Sequence, residues 1–377
     1  MRTVGVLIVV FIAASVLYVT ASRELSLSAM CPDMSPSCVQ SAVAHMYDER
    51  GLAAVFRAVR SAADSDAAFR ASCIDVMRDF GASMPAESVA HWEPDAVLCN
   101  YGFINGYAFA HAMRDIATAT SACDAARRDI GHLSRNAYAE CFRGIGRALL
   151  DIGGPRAPGD AGAMAREALG MCEDRTNDPE ARLFCAAGFF NAIGFAMVNE
   201  RYGLAVDRSD PLWLCDSYEG ELAYRCTGNM KWIGVRLTDD ARGGVSSIPE
   251  SYERARRILD DELVLHVVRT LAYEYGRSAV PAAEARADCG TVPDRMQAQC
   301  AAGYALGIAK NGGSDSYPGI IDFCAGSVGV LATDLNACMF DAMSFLDGFL
   351  SRDEYARLCD ILARHSLSCG DLARPQT

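Results

Sequence analysis

Hydrophobic and polar positions along the chain alternate in blocks that have helical periodicity. Short amphipathic stretches, such as AMAREALGMC ending at Cys172, are each followed by a polar loop and then by a longer apolar stretch, such as FCAAGFFNAIGFAMV from Phe184. Glycine- and proline-containing segments, namely GGPRAPGD, DDARGGVSSIP and NGGSDSYP, follow the longer stretches and precede the next pair. The pattern therefore predicts a series of helical hairpins.

The hairpins recur at a nearly constant interval. The longer stretches at Cys99, Cys141, Cys185 and Cys226 follow one another at intervals of roughly forty residues, a period typical of helical repeat proteins. The interval from Cys226 to Cys300 is about twice as long, and ELVLHVVRTLAYEYGR, a helical stretch without cysteine, lies between them. Because the period continues through the breaker segments, we expect one continuous all-α domain over 22–377, an α-solenoid or toroid-like array of disulfide-stapled helical hairpins.

Cysteine, glycine and a second small residue recur at positions i, i+3 and i+7, which share one face of a helix. The four sets are Cys99/Gly102/Gly106, Cys141/Gly144/Ala148, Cys185/Gly188/Ala192 and Cys300/Gly303/Gly307. A glycine inside a helix costs about 1 kcal/mol relative to alanine. Its repetition predicts that neighbouring helices approach each other closely along this face.

The sixteen cysteines fall into sequence neighbours that we expect to form disulfides. Spacing alone leaves other connectivities open, most of all for the terminal neighbours Cys31/Cys38, Cys73/Cys99 and Cys359/Cys369. For the short central loops, the chain-entropy model gives about 3 kcal/mol per bridge. The pairs expected in the central repeats are Cys123–Cys141, Cys172–Cys185, Cys215–Cys226, Cys289–Cys300 and Cys324–Cys338.

The N-terminal segment predicts export. An uncharged apolar run, Val4–Val19, follows Arg2, and small residues precede Ser22, which is typical of a signal peptide. Residues 1–21 are either a cleaved signal peptide or a membrane anchor, and both alternatives place the rest of the chain in an oxidising extracytoplasmic compartment, periplasmic or secreted. No second run appears long and uncharged enough to span a bilayer, so we expect membrane contact only through this segment.

Three cysteine–glycine segments, at 73–81, 99–106 and 141–147, carry a resemblance to a known family. Their spacing resembles that of an uncharacterised family of exported or membrane-anchored bacterial and archaeal proteins, whose motif C-H-x-x-x-H-x-x-G is followed by several C-x-x-G-x-x-H-G or C-Y-H-G-x-G-H blocks. The histidines of that pattern are replaced here, so the resemblance implies a retained scaffold without a metal or cofactor at those positions, and favours a structural or binding role. The replacing residues are Ile74, Arg78, Asn105, Arg143 and Arg147.

Candidate chemistry is sparse along the chain. It contains no C-x-x-C or H-x-x-x-H motif, G-x-S-x-G elbow or Walker loop, so we predict no metal site, cofactor or catalytic residue. His91, His111 and His266 are the candidate polar members of a ligand site, although a histidine in an apolar helix is more often a structural residue. The aromatic residues Trp213, Tyr218, Tyr224 and Trp232 indicate either a local core or a binding patch.

The net charge of −13 disfavours nucleic acid and anionic lipid as partners. We therefore expect an extracytoplasmic, non-enzymatic scaffold that recognises a protein or another polymer, basic or neutral, along a concave helical surface. Two alternatives stay open. One is an enzyme or small-ligand carrier with its site in the concave centre, formed by His91, His111 and His266, and the other is a redox protein with a labile cysteine pair.

Overall fold

The protein is described here by a computed structural model. The structure describes residues 26–369 except 87–90, 133, 135, 208, 235–246, 258, 312–315, 350–351 and 365–368. The predicted signal peptide or anchor, residues 1–21, lies outside the described residues.

The described chain is built from α-helices. They begin with four near the N-terminus, α1 (Leu27–Met30), α2 (Pro36–Arg50), α3 (Leu52–Ser65) and α4 (Ala67–Ser83). The repeats follow with α5 (Leu98–Ala112), α6 (Ile116–Ile130), α7 (Asn136–Gly153), α8 (Ala161–Arg175), α9 (Pro179–Val198), α10 (Gly220–Met230), α11 (Ile248–Ala255), α12 (Asp261–Arg277), α13 (Ala282–Cys289), α14 (Asp294–Asn311), α15 (Tyr317–Ser327), α16 (Leu335–Phe349) and α17 (Arg352–Arg364).

The contacts between helices define an inner row and an outer row. Along the inner row, α4 packs on α5, α5 on α7, α7 on α9 and α9 on α10, while α12 packs on α14 and α14 on α16. The outer helices α6, α8, α11, α13 and α15 each pack against the inner helix that follows them. The predicted all-α array of helical hairpins is confirmed.

Every expected pair of neighbouring cysteines is within disulfide distance. In the central repeats each bridge joins an outer element to the next inner helix, as Cys172 in α8 and Cys185 in α9 do across a Cα–Cα distance of 5.9 Å. The bridge between Cys73 and Cys99 instead joins two inner helices, α4 and α5. The pairs are Cys31–Cys38, Cys73–Cys99, Cys123–Cys141, Cys172–Cys185, Cys215–Cys226, Cys289–Cys300, Cys324–Cys338 and Cys359–Cys369.

The repeated glycines allow the inner helices to touch backbone to backbone. A Cβ at Gly106 would collide with the carbonyl oxygen of Arg78 on the preceding inner helix, and one at Gly188 would collide with that of Arg143. On α7, a Cβ at Gly146 would likewise collide with the carbonyl oxygen of Cys185, which lies on the following inner helix. The predicted close approach is confirmed, and it extends to glycines outside the repeated set.

The hairpin α11–α12 contains no disulfide. Its helices are joined instead through Tyr275 of α12, whose hydroxyl accepts a hydrogen bond from the buried backbone N–H of Ile248 (3.3 Å) and donates one to Asp288 of α13 (2.7 Å). The cysteine-free stretch thus occupies the position in the array that its sequence predicted, held by a buried phenol.

Helix α9 is long and apolar enough to cross a membrane by length and composition, contrary to the expectation that no second run would be. Its apolar residues pack against α7, α8 and α10, and Phe189, Phe190 and Ile193 are fully buried. The helix is therefore part of the protein core.

An early and a late helix of the inner row also meet. Helix α14 contacts α5 as well as its sequence neighbours α12 and α16. Helices from early and late repeats therefore surround a common centre, as expected for a toroid-like array.

Candidate functional site: a cationic central cavity

A cavity of about 140 Å³ lies among six inner helices, and we call it the central cavity. Helices α4, α5, α7, α9, α10 and α14 each contribute to its wall. The lining residues are Ile74, Arg78, Asn100, Gly102, Asn105, Glu140, Arg143, Arg147, Gly188, Asn191, Asn229 and Lys310.

The lining of the central cavity is strongly cationic. Three guanidinium groups and the Lys310 ammonium face a single lining carboxylate, that of Glu140. Most of the other lining side chains are asparagine amides, which can donate or accept hydrogen bonds. This excess of positive charge stands within a chain whose net charge is −13.

Hydrogen bonds hold the arginines of α7 in place. Arg147 donates to Asn105 Oδ1 at 2.7 Å, and the Asn105 amide in turn donates to the backbone carbonyl of Glu140 at 3.1 Å. Arg143 donates to Glu140 Oε1 at 2.7 Å and to Asn229 Oδ1 at 3.2 Å. The network links α5, α7 and α10 around the cavity.

The charge of Arg147 has no carboxylate partner. In the described part of the chain this guanidinium hydrogen-bonds to an amide and forms no ion pair. Burial, and secondarily the positive charge of Arg78, lower the pKa of Arg147 to about 10. The carboxylates of Glu140, Asp151 and Asp75 favour the charge of Arg147 but do not fully compensate its burial.

Lys310 lies in a similar electrostatic environment. Burial lowers the pKa of its ammonium group, and the positive charges of Arg143 and Arg269 act in the same direction. The carboxylates of Glu140 and Asp341 oppose the shift, although Asp341 is itself engaged by Arg269 at 2.6 Å.

Two lining arginines also have unused hydrogen-bond donors. The Nε atoms of Arg78 and Arg143 are buried and make no hydrogen bond with any described residue. Buried donors in native proteins are generally satisfied, so these atoms indicate room for an additional acceptor near the cavity.

The positions at which the resembling family carries histidine converge on this cavity. Ile74, Arg78, Asn105, Arg143 and Arg147 all belong to its lining. Sequence reasoning treated these replacements as a loss of function and missed the site. The available signal was their spacing, because on α7 each arginine is adjacent to a glycine at a helix contact: Arg143 to Gly144, which contacts the preceding inner helix, and Arg147 to Gly146, which contacts the following one.

The three candidate histidines have different surroundings. The His91 side chain is 91% exposed and lies 3.7 Å from Asp129, whereas His111 is buried, with Nε2 3.1 Å from the Met84 carbonyl oxygen. His266 accepts a hydrogen bond from Lys231. None of the three is among the described lining residues of the central cavity. A ligand site formed by these histidines stays a prediction.

The aromatic residues near Trp213 divide between core and surface. Tyr218 packs on Phe190, and the Trp232 ring stacks on Phe195 with their centroids 3.8 Å apart. Tyr224 and Trp213 are exposed, by 69% and 37%. Tyr218 and Trp232 therefore pack against the core, whereas a binding patch at Tyr224 and Trp213 stays a prediction.

Comparison with known proteins adds no assignment. The chain matches no family model, no curated protein and no solved structure. Functional inference therefore depends on the geometry of the cavity, whose cationic and amide groups are suited to binding an anion.

Proposed function

We propose that this chain is an extracytoplasmic binding protein or carrier for a small, multiply charged anion, which it holds in the central cavity. The observation that carries the proposal is the convergence of Arg78, Arg143, Arg147 and Lys310 on one cavity, where Glu140 supplies the one carboxylate among the described lining residues. This is the small-ligand alternative of the sequence analysis, placed at the centre of the array but with arginine, lysine and asparagine in place of histidine.

The energetics of buried charge support an anionic ligand. Removing a charge from water costs several kcal/mol, roughly, unless a partner of opposite sign compensates it. Among the described residues Arg147 hydrogen-bonds to an amide and to no carboxylate, and burial lowers the pKa of both Arg147 and Lys310. An anion would offset these penalties and would accept hydrogen bonds from the unused guanidinium donors.

The volume of the cavity limits the size of the ligand. An engineered cavity of about 150 Å³ accommodates benzene, and the central cavity is of similar size at about 140 Å³. Sulfate, phosphate and small dicarboxylates such as oxalate fit this volume. A folded protein or an extended polymer does not.

The proposed compartment follows from the cysteines. All the described cysteines lie in disulfide pairs, which is consistent with an oxidising extracellular environment. We propose a periplasmic or secreted location, reached through the N-terminal segment as either a signal peptide or an anchor.

Anion binding can be measured directly by isothermal titration calorimetry with sulfate, phosphate and oxalate. The test variant is Arg147→Gln, and Arg156→Gln is its control, since Arg156 is 63% exposed and pairs with Glu167 away from the cavity. We expect at least one of the three anions to bind the natural protein. Arg147→Gln should weaken that binding about tenfold to a hundredfold, because the anion loses one charged hydrogen-bond partner. Arg156→Gln should leave the affinity unchanged.

The same variant provides a stability readout. Because glutamine removes an uncompensated buried charge, Arg147→Gln should be at least as stable as the natural protein without ligand, as followed by thermal unfolding. Absence of binding by any of the three anions to the natural protein would refute the proposal, as would equal losses in the two variants.

A polymer-binding scaffold is the second candidate, and the exposed aromatic rings favour it. Phe195 is 43% exposed and stacks on Trp232, while Tyr224 is 69% exposed. If these rings form a docking patch, Tyr224→Ser should abolish capture of an envelope partner while leaving anion binding intact.

A further inference from the structure

Lysine is almost absent from this chain, and one of its two lysines lines the central cavity. Of 35 cationic residues, only Lys231 and Lys310 are lysines. Lys231 pairs with Glu262 at 3.0 Å and donates a hydrogen bond to His266. Lys310 is the only primary amine among the lining residues of the cavity.

The use of lysine at this position matters chemically. A guanidinium supplies positive charge and paired donors but stays protonated, and it is not a nucleophile at neutral pH. A lysine ammonium that loses its proton becomes an amine that can attack a carbonyl carbon. Burial next to other cations is the arrangement that favours this loss, as in lysines that form Schiff bases.

The surroundings of Lys310 fit that arrangement. Burial and the charges of Arg143 and Arg269 lower the pKa of Lys310. Arg143 and Arg147 line the same cavity and can hold an anionic group close to the amine. Glu140, the lining carboxylate, is near enough to Lys310 to interact with it electrostatically.

We propose that Lys310 forms a reversible imine with a small anionic carbonyl compound, of the 2-oxo acid class, whose carboxylate is held by the cavity arginines. This inference rests on the proposed anion-binding function and adds the chemical class of the ligand. The ligand is then held by a reversible covalent bond to Lys310 as well as by the positive charges of the cavity.

Imine formation consumes only the Lys310 amine and the carbonyl compound, and it releases one water molecule. The unprotonated Lys310 amine attacks the carbonyl carbon and forms a carbinolamine, with proton transfer from nitrogen to oxygen. Loss of water then removes the former carbonyl oxygen together with two hydrogens, and a C=N bond replaces the C=O bond. Glu140 can accept and return the proton in these steps, and hydrolysis of the imine releases the ligand unchanged.

The test is reductive trapping with glyoxylate or pyruvate and cyanoborohydride, followed by peptide mass spectrometry. Lys231 is an internal control in the same molecule, because it is the other lysine and lies outside the cavity lining. We expect the reduced adduct on Lys310 to form at least ten times faster than on Lys231. Saturating sulfate should suppress the Lys310 adduct and leave the Lys231 adduct unaffected.

Two further variants assign the adduct to its lysine. Lys231→Arg, outside the cavity lining, should bind sulfate as the natural protein does and still form the Lys310 adduct. Lys310→Arg should form no adduct in the cavity, whatever its affinity for sulfate. Equal labelling of Lys231 and Lys310, or sulfate binding without any Lys310 adduct, would overturn the imine and leave the anion-binding function standing. If the natural protein neither binds sulfate nor forms the adduct, both proposals fail.

Discussion

At the scale of single residues, several titratable groups of this protein are partly or fully buried beside charges of their own sign. Burial lowers the pKa of His266 to about 4, and the nearby cations Lys231 and Arg269 act in the same direction. Arg147 and Lys310 show the same combination of burial and neighbouring positive charge. These residues keep their positions because the surrounding helices fix them, so their protonation should be coupled to folding.

We predict that His266 stays neutral throughout the physiological pH range and makes the folded protein less stable in acid. Because its folded pKa of about 4 lies below the unfolded value near 6.5, the unfolded state binds the proton first as the pH falls. Stability attributable to this group should fall between about pH 6.5 and 4, by about 1–2 kcal/mol after allowing for its partial exposure to solvent. NMR titration of the His266 ring and denaturant unfolding across this range measure the two effects.

Lys231→Met is the matched variant for His266. The substitution removes the positive charge of Lys231, which is the second-largest cause of the lowered pKa, and leaves the His266 ring buried. The pKa of His266 should therefore rise but stay below 6.5. If His266 of the natural protein titrates near pH 6.5, burial and the neighbouring cations do not lower its pKa as predicted.

At the scale of helices, the array depends on two kinds of contact, which lie at different places in each repeat. Disulfides join an outer helix to the next inner helix, and glycines bring successive inner helices into backbone contact. The hairpin α11–α12 shows that a disulfide can be replaced locally, since the buried Tyr275 hydroxyl links α11, α12 and α13. The backbone contacts have no such substitute, because any side chain at those glycines would occupy the space of a neighbouring carbonyl.

We predict opposite effects of the same substitution at two helical glycines. Gly188→Ala should destabilise the protein by about 2–3 kcal/mol, because the new Cβ would collide with the Arg143 carbonyl oxygen of α7 and force the helices apart. Gly170→Ala on α8, where a Cβ would meet nothing within 4 Å, should stabilise it by about 0.5–1 kcal/mol through helix propensity. Guanidinium unfolding with the disulfides intact provides the comparison, and similar values for both variants would argue against backbone contact.

At the scale of the whole molecule, the central cavity exists only because distant repeats meet. Its lining runs from Ile74 in α4 to Lys310 in α14, and α14 contacts α5 directly. A ligand bound there would touch helices far apart in sequence. Binding should therefore stabilise the closure of the array as well as the individual repeats.

We predict that saturating sulfate slows amide hydrogen exchange in α7 and in the last turn of α14 together. Both contribute cations to the cavity, so a bound anion should reduce local opening in each. Helix α2, which contributes no lining residue, is the internal control and should exchange at an unchanged rate. Protection confined to one repeat, or spread evenly over the chain, would count against a ligand held between early and late repeats.

Local interactions explain why so much of the fold was predictable from the sequence. The period of the cysteines, the apolar stretches and the glycine spacing predicted the hairpins and the close helix contacts, because helix formation, loop closure and i, i+3, i+7 faces depend on residues close in sequence. The disulfides joined sequence neighbours for the same reason: each closes a short loop.

The site was decided by the tertiary structure. Arg78, Arg147 and Lys310 are far apart in the chain. The packing of α4, α5 and α7 brings the two arginines to one cavity, and the contact of α14 with α5 adds Lys310. Sequence patterns drew attention to histidines, which the fold distributes between the surface and the core. The sequence by itself determined the repeating unit. The curvature of the array, which accumulates over many helix contacts, determined which side chains line the centre. It therefore determined the charge that a ligand would meet there.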